Sequence, residues 1–160
     1  VSVRTGIGYD SHRFGADRPL VLGGVRIPEA QSGLVGHSDS DALVHAVIDA
    51  LLGAAGLGDI GLHFPDSDER WRDADSLELL RAVAGMLSEQ GWTVVGIDAT
   101  VICEAPRLGA HREPMRAALA AAAGLAPPQA NVKFTTNEGM GFLGRGEGVA
   151  ALASASVERA

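Results

Sequence analysis

Asp10, His12 and His45 offer one carboxylate and two imidazoles, the donor set of a zinc site with an open fourth position. Asp10 and His12 stand two apart at the end of a β-rich run, and side chains two apart on a strand share a face. His45 falls one turn inside an apolar-periodic helix whose approach carries His37 and Ser38. Asp41 and Asp49 flank His45 at i−4 and i+4, where either can hold its second ring nitrogen. A satisfied core histidine on an ordinary capped helix is the plain alternative, and D-x-H alone is a frequent accident. There is no H-E-x-x-H helix, so metalloprotease chemistry has no support.

A second chemical stretch is Asn-Val-Lys-Phe-Thr-Thr-Asn-Glu, residues 131–138, which holds Lys133, the one lysine among 13 basic residues. Thr135, Thr136 and Glu138 suit a magnesium-and-phosphate contact; a strand end with turn residues is the simpler reading. Gly139-Met-Gly141-Phe-Leu-Gly144 matches G-x-G-x-x-G, but too little chain follows for the rest of a dinucleotide unit. Those glycines are expected to permit tight turns or close backbone approach. Arg145 behind them is a solvated charge or an anion clamp, and spacing does not choose. His63 and His111 read as loop or surface histidines, and no nucleophile–base pair is visible.

These groups need elements to position them. Residues 3–9 read as a strand running into Asp10. Pro19–Leu22, two glycines and Val25–Pro28 read as a hairpin ribbon, with the prolines suiting an edge. A helix over 39–56 follows, N-capped by Ser38 or Asp39, with Leu43, Val47, Leu51 and Ala55 on its buried stripe. Residues 58–61 and 64–68 read as polar loop. Asp75 with Glu78 resembles a capping box for a helix that ends near Gly91, with Gly85 an internal cost of about 1 kcal/mol. A strand over 92–103, an Ala-rich helix with Pro114 in its first turn, and a strand over 131–136 come next. Residues 139–148 read as loop, and 149–157 as a strand or helix that the pattern does not separate. The expected fold class is α+β, a mixed sheet with helices on one face, in a single 1–160 domain. Its bare face needs cover, most simply a second subunit.

Aromatic residues make up 4% against 46% apolar overall, so the core is expected to be aliphatic. A net charge of −7 argues against nucleic-acid or anionic-membrane partners, and a phosphorylated ligand would need cations or helix N-termini beside it. The lone Cys103 excludes an intrachain disulfide and fits a reducing compartment. The first residues lack a signal-peptide layout, and no stretch reaches the ~18 apolar residues that span a bilayer. A cytoplasmic location is expected.

The motifs occur in a telling order: Asp10-Ser-His12-Arg-Phe, Leu22-Gly-Gly-Val-Arg-Ile-Pro28, Gly36-His-Ser-Asp, Leu51-Leu-Gly-Ala, Gly58-Asp-Ile-Gly61, Phe64-Pro-Asp-Ser-Asp68, Ala105-Pro-Arg, Asn131-Val-Lys and Gly144-Arg-Gly-Glu-Gly148. Together they cover essentially the whole chain, which resembles the 2-C-methyl-D-erythritol 2,4-cyclodiphosphate synthase family. The resemblance implies a homotrimer with sites between subunits. It also implies a lyase of the methylerythritol phosphate route to isoprenoids that cyclises 4-diphosphocytidyl-2-C-methyl-D-erythritol 2-phosphate and releases CMP. It implies Zn2+ on Asp10, His12 and His45, and Mg2+ or Mn2+ on the diphosphate near Glu138. His37 and Thr136 would steady the reacting phosphates, with Ser38 beside them. Asp59, Ile60, Gly61, Phe64, Pro65, Asp66, Ser67 and Asp68 would surround the methylerythritol unit. Cys103, Glu104, Ala105, Pro106, Arg107, Leu108 and Gly109, with Thr135, Thr136, Asn137 and Glu138, would form the CMP pocket. Phe142 and Arg145 complete the expected contacts. Ser40 stands where the family usually has Gly, and Asn137 where it usually has Thr. A zinc phosphohydrolase and a non-catalytic trimeric sensor of nucleotide and metal are the alternatives.

Overall fold

In the computed structural model, which describes residues 1–160, strand β1 runs unbroken from Ser2 to Ala16, past the expected end of the strand and through Asp10 and His12. The hairpin follows as β2 (Leu20–Leu22) and β3 (Val25–Ile27), and a short β4 (Gly33–Leu34) leads to α1 (Ala42–Ala55). Next come α2 (Ile60–His63), α3 (Ser76–Glu89), β5 (Thr93–Ile102) and α4 (Arg112–Ala123). The chain closes with β6 (Ala130–Thr135), α5 (Gly141–Gly144) and β7 (Gly148–Arg159). The five-stranded sheet has the order β4-β1-β7-β5-β6, with β5 and β6 parallel and the other pairs antiparallel. The fold is therefore α+β with a mixed sheet and a separate ribbon.

β7 settles the stretch that pattern could not. It is the central strand, paired with β1 from Ser2↔Arg159 to Arg13↔Gly148 and with β5 on its other side. Its many alanines carry little period of their own, so pairing on both edges decides. Two expected loops each contain one helical turn, α2 and α5. In α5 the glycines are used as expected: a Cβ on Gly144 would lie 2.1 Å from the Gly139 carbonyl carbon.

Helix α1 lies on one face of the sheet and is almost wholly buried, with Leu43, Val47 and Leu51 at 0% exposure. Two glycines of β1 let it come close. A Cβ on Gly6 would stand 2.1 Å from the Ala50 carbonyl oxygen, and one on Gly8 would stand 1.9 Å from that of Ala46. Strand alternation then points Asp10 and His12 to the same side, toward the N-terminal end of α1. The opposite sheet face is open and partly apolar, with Ile7 82% and Leu152 47% exposed.

The N-cap of α1 is Asp41, not Ser38 or Asp39. Ser40 adopts φ +58°, so the chain is still turning there, and the Asp39 carboxylate is engaged by Ser76. Asp41 is extended and accepts the Val44 N–H at 3.0 Å. It also accepts the Gly23 and Gly24 N–H groups at 2.9 and 2.7 Å, tying the hairpin turn to the helix. At the start of α3, Asp75 is the cap as expected, but it accepts from Leu77, and Glu78 turns away to Arg81, so no reciprocal box forms. A Cβ on Gly85 would meet nothing within 4 Å, so no close approach requires glycine at that point of the helix.

Burial, with Asp39 nearby, pushes the Asp41 carboxyl up to about 6, against three backbone donors that pull it down. Between an unfolded value near 3.8 and about 6 the folded state holds more protons, so Asp41 stabilises less as pH climbs through that window. Replacing it with Asn removes the titration and turns an amide donor toward backbone donors, costing about 2 kcal/mol. Chemical denaturation from pH 4 to 7 should show the wild-type advantage over Asp41→Asn shrinking with pH; an advantage that grows would contradict this.

Candidate metal centre and the groove beside it

Three elements meet where β1 leaves the shelter of α1. β1 supplies Asp10 and His12, and the first turn of α1 supplies His45, nearer the helix start than expected because the helix begins at Ala42. Asp10 Oδ2 lies 2.9 Å from His12 Nδ1 and 3.1 Å from His45 Nδ1, and one donor atom from each residue falls within 4.8 Å of the others. The two imidazoles are 5.4 Å apart and tilted by 58°. His12 Nδ1 is buried without an aligned hydrogen-bond partner. An orphaned ring nitrogen beside a carboxylate and a second imidazole fits a divalent cation.

The electrostatics agree. Burial pushes the Asp10 carboxyl up, but its contacts with His12 and His45 outweigh that and hold it below the usual carboxylate value. Burial pushes the His45 imidazole down, and Asp10, with Asp41 and Asp39 farther off, more than reverses this. Neither acid at helical spacing holds the His45 ring. Asp41 is the helix cap, and Asp49 accepts the Ile60 N–H at 2.8 Å, which seats α2. Nε2 instead meets two serines, Ser38 Oγ at 3.2 Å and, more closely, Ser76 Oγ, 31 positions away at 2.8 Å. No helical periodicity points to Ser76.

Asp10, His12 and His45 line one wall of a cavity of about 410 Å³. His37 and Ser38 line it too, as do Ile60, Gly61, Phe64, Pro65 and Asp66 from the α2 region. Trp71, which sequence reasoning passed over, closes it with its ring edge-on to Phe64 at 5.0 Å. Asp59 does not line the cavity; it caps α2 through the Leu62 N–H. Ser67 is exposed, and Asp68 binds Arg70 while its carbonyl meets His37 Nε2 at 3.2 Å.

Arg18 fastens the loop that carries His37. Its guanidinium donates to the Leu34 carbonyl at 2.9 and 2.6 Å, the Ser38 carbonyl at 2.8 Å and Ser40 Oγ at 2.6 Å. Ser40 thus serves as an Arg18 acceptor, and it fills the space opposite Gly36, where a Cβ would lie 2.2 Å from Ser40 Oγ.

The other expected residues gather elsewhere. Cys103, Glu104, Pro106, Arg107, Leu108, Gly109, Thr135 and Thr136 line a separate cavity of about 350 Å³, joined by Arg112, whose guanidinium lies 5.4 Å over Phe134. Ala105 faces a neighbouring pocket across its cis bond to Pro106. Burial lifts the Cys103 thiol to about 11, so it is no nucleophile. Glu104 accepts the Asn137 and Gly139 N–H groups at 3.0 and 3.1 Å, holding Glu138 between them at φ +53° with its side chain exposed. The Asn137 amide itself donates to the Met140 carbonyl. Phe142 lies near Ser11 and His12 at a further hollow, and Arg145 pairs with Glu147 at 2.8 Å. Lys133 pairs across the sheet with Asp98, His63 Nε2 meets the Leu57 carbonyl, and His111 meets Glu29. Within one chain, the metal cavity and the Cys103–Thr136 cavity share no lining residue.

Residues 3–158 match the YgbB family. A 2-C-methyl-D-erythritol 2,4-cyclodiphosphate synthase from Rubrobacter xylanophilus is 58% identical over 161 residues, covering 98% of this chain and 96% of the relative. Among solved structures, the bifunctional IspDF of Campylobacter jejuni superposes with a TM-score of 0.95 at 42% identity, over 99% of this chain and 43% of that one. A CDP complex of Plasmodium falciparum IspF superposes with a TM-score of 0.85 at 27% identity, over 99% of this chain and 97% of that one.

Proposed function

The chain belongs to the YgbB family, and from that premise we propose that it closes 4-diphosphocytidyl-2-C-methyl-D-erythritol 2-phosphate into 2-C-methyl-D-erythritol 2,4-cyclodiphosphate, releasing CMP. The observation that carries the reading is the Asp10–His12–His45 donor set in the wall of the groove formed with His37 and Ser38. The CDP held by the Plasmodium falciparum relative supports a cytidine diphosphate ligand.

The reaction joins two ends of one molecule. The substrate's 2-phosphate oxygen attacks its own β-phosphorus, forming a P–O bond as the bond to CMP breaks, so no side-chain nucleophile is required. Holding those atoms in line can supply about 7–11 kcal/mol. The work of this chain is therefore orientation. Asp10, His12 and His45 would hold Zn2+, and Glu138 would help hold Mg2+ or Mn2+. Bound there, the two cations supply charge that offsets phosphate repulsion and the charge leaving on CMP. His37 and Thr136 steady the phosphates, while Ile60, Gly61 and Phe64–Asp66 enclose the methylerythritol unit. The segment 103–109, with Thr135 and Thr136, receives the cytidine. This resolves how a chain of net charge −7 takes a polyanionic substrate.

The two separate cavities make sense if each working site takes one cavity from each of two neighbouring chains of a homotrimer. The exposed Ile7, Tyr9 and Leu152 on the bare sheet face are the natural seam. No helix is long and apolar enough to cross a membrane. The single free cysteine is consistent with the cytoplasmic location expected from the sequence.

Incubation with substrate and magnesium, followed by phosphorus NMR in oxygen-labelled water, tests the assignment. Cyclic diphosphate and CMP without label are expected. Labelled phosphate would identify a hydrolase, and binding without turnover would identify a sensor. The second cation makes a narrower prediction. Glu138→Gln should leave zinc content unchanged and raise the magnesium or manganese needed for half-maximal turnover about tenfold, in line with loss of one carboxylate ligand. An unchanged metal titration would remove Glu138 from that role.

A further inference from the structure

Two residues stand behind the metal triad without belonging to it or to the substrate groove. Ser76, the first residue of α3, is fully buried, and its Oγ lies 2.8 Å from His45 Nε2. Asp39 stands behind Ser76. It accepts the Ser76 N–H on Oδ2 at 2.9 Å, and Ser76 Oγ makes a second, short contact with Asp39 Oδ1.

The direction of each bond follows from what each atom can do. Asp39 Oδ1 also accepts the Asp41 N–H at 3.1 Å, so both carboxylate oxygens already face backbone donors. A carboxylate so placed accepts, and the Ser76 hydroxyl donates to it. With its one proton directed at Asp39, Ser76 Oγ presents lone pairs to the ring, and the bond forms only when His45 Nε2 carries hydrogen. Ser38 Oγ lies farther from the same nitrogen, at 3.2 Å, and accepts the Ser40 N–H. His45 Nδ1 is left facing Asp10 at 3.1 Å, on the side where the triad's donor atoms converge.

We infer that Asp39 and Ser76 form a positioning chain behind His45, keeping hydrogen on Nε2 so that Nδ1 is the atom given to the metal. The inference rests on the proposed zinc site at Asp10, His12 and His45. A metal-binding histidine is oriented and made more basic by an acceptor on its other ring N–H, and in this chain that acceptor is a hydroxyl whose own proton is held by a carboxylate. Here the three links come from the 37–41 loop, the start of α3 and the first turn of α1. Asp39 also satisfies an otherwise free N–H at the α3 terminus, so seating that helix and aiming the ring are one event.

The test uses full-length protein and zinc alone. Zinc affinity is measured by competition with a chelator for wild type, Ser76→Ala, Asp39→Asn and the double variant. Each single change should weaken zinc binding about 10–100-fold, and the double should be little worse than the weaker single, since the links act in series. Histidine nitrogen NMR of the zinc-loaded wild type should show His45 metallated at Nδ1, with a slowly exchanging proton on Nε2. That proton should exchange faster in zinc-loaded Ser76→Ala, a change that general loosening of the fold would not confine to one ring. Metallation at Nε2, unchanged affinity in both single variants, or additive losses would overturn the chain. A wild type that takes up no zinc would overturn the zinc site as well, whereas normal wild-type zinc with indifferent variants would overturn the positioning chain alone.

Discussion

His45→Ala should lose stoichiometric zinc and lower turnover by about a thousandfold or more, the scale expected when a charge-stabilising group leaves a preorganised site. The fold should survive. His45 is 8% exposed in the first turn of α1, but the Asp41 cap, the hairpin contacts and the Leu43–Leu51 stripe do not pass through its ring. Alanine also suits a helix better than histidine does, which offsets part of the packing lost. What remains is a carboxylate and one imidazole, too few donors to hold zinc firmly. Metal content by mass spectrometry under native conditions, beside circular dichroism and turnover, reads all three expectations. Full zinc at undiminished affinity in a folded variant would exclude His45 as a ligand.

The second large effect is a recovery. If each site joins the metal cavity of one chain to the Cys103–Thr136 cavity of the next, two dead variants should complement. His45→Ala spoils the first half, and Thr136→Ala with Glu138→Ala spoils the second. Each refolded separately should be nearly inactive. Denatured together in equal amounts and refolded, chains assort at random around a cyclic trimer, and about a quarter of the sites should pair an intact metal half with an intact nucleotide half. Activity should return to about that fraction of wild type. Were both halves contributed by one chain, no mixed trimer could hold a whole site. Mixed trimers confirmed by mass but still inactive would defeat the shared site.

Much of the machinery is legible in the sequence because it depends on local rules. Period-two alternation put Asp10 and His12 on one face, and the apolar stripe over 43–55 announced a buried helix bearing His45. The hairpin glycines behaved as expected, Gly23 at φ +58° and Gly24 at φ +71°. The errors lie where distant residues compete for the same group. Ser38 and Asp39 are good caps by type, yet Asp39 is taken by Ser76, and the cap moves to Asp41. Asp41 and Asp49 suit His45 by spacing, yet the hairpin turn and α2 claim them.

By itself, then, the sequence determined the kinds of atoms available, the faces of the elements that carry them and, through the full series of motifs, the family. Tertiary structure decided which atoms meet. Asp10 and Ser76 reach His45 from 35 and 31 positions away, at distances set by how closely α1 settles on Gly6 and Gly8 and by where α3 begins. It also decided that the metal cavity and the Cys103–Thr136 cavity stay apart within one chain. Hydrogen bonds demand placement within a few tenths of an ångström, and that precision comes from strand register and helix packing across the whole chain, which no local pattern encodes.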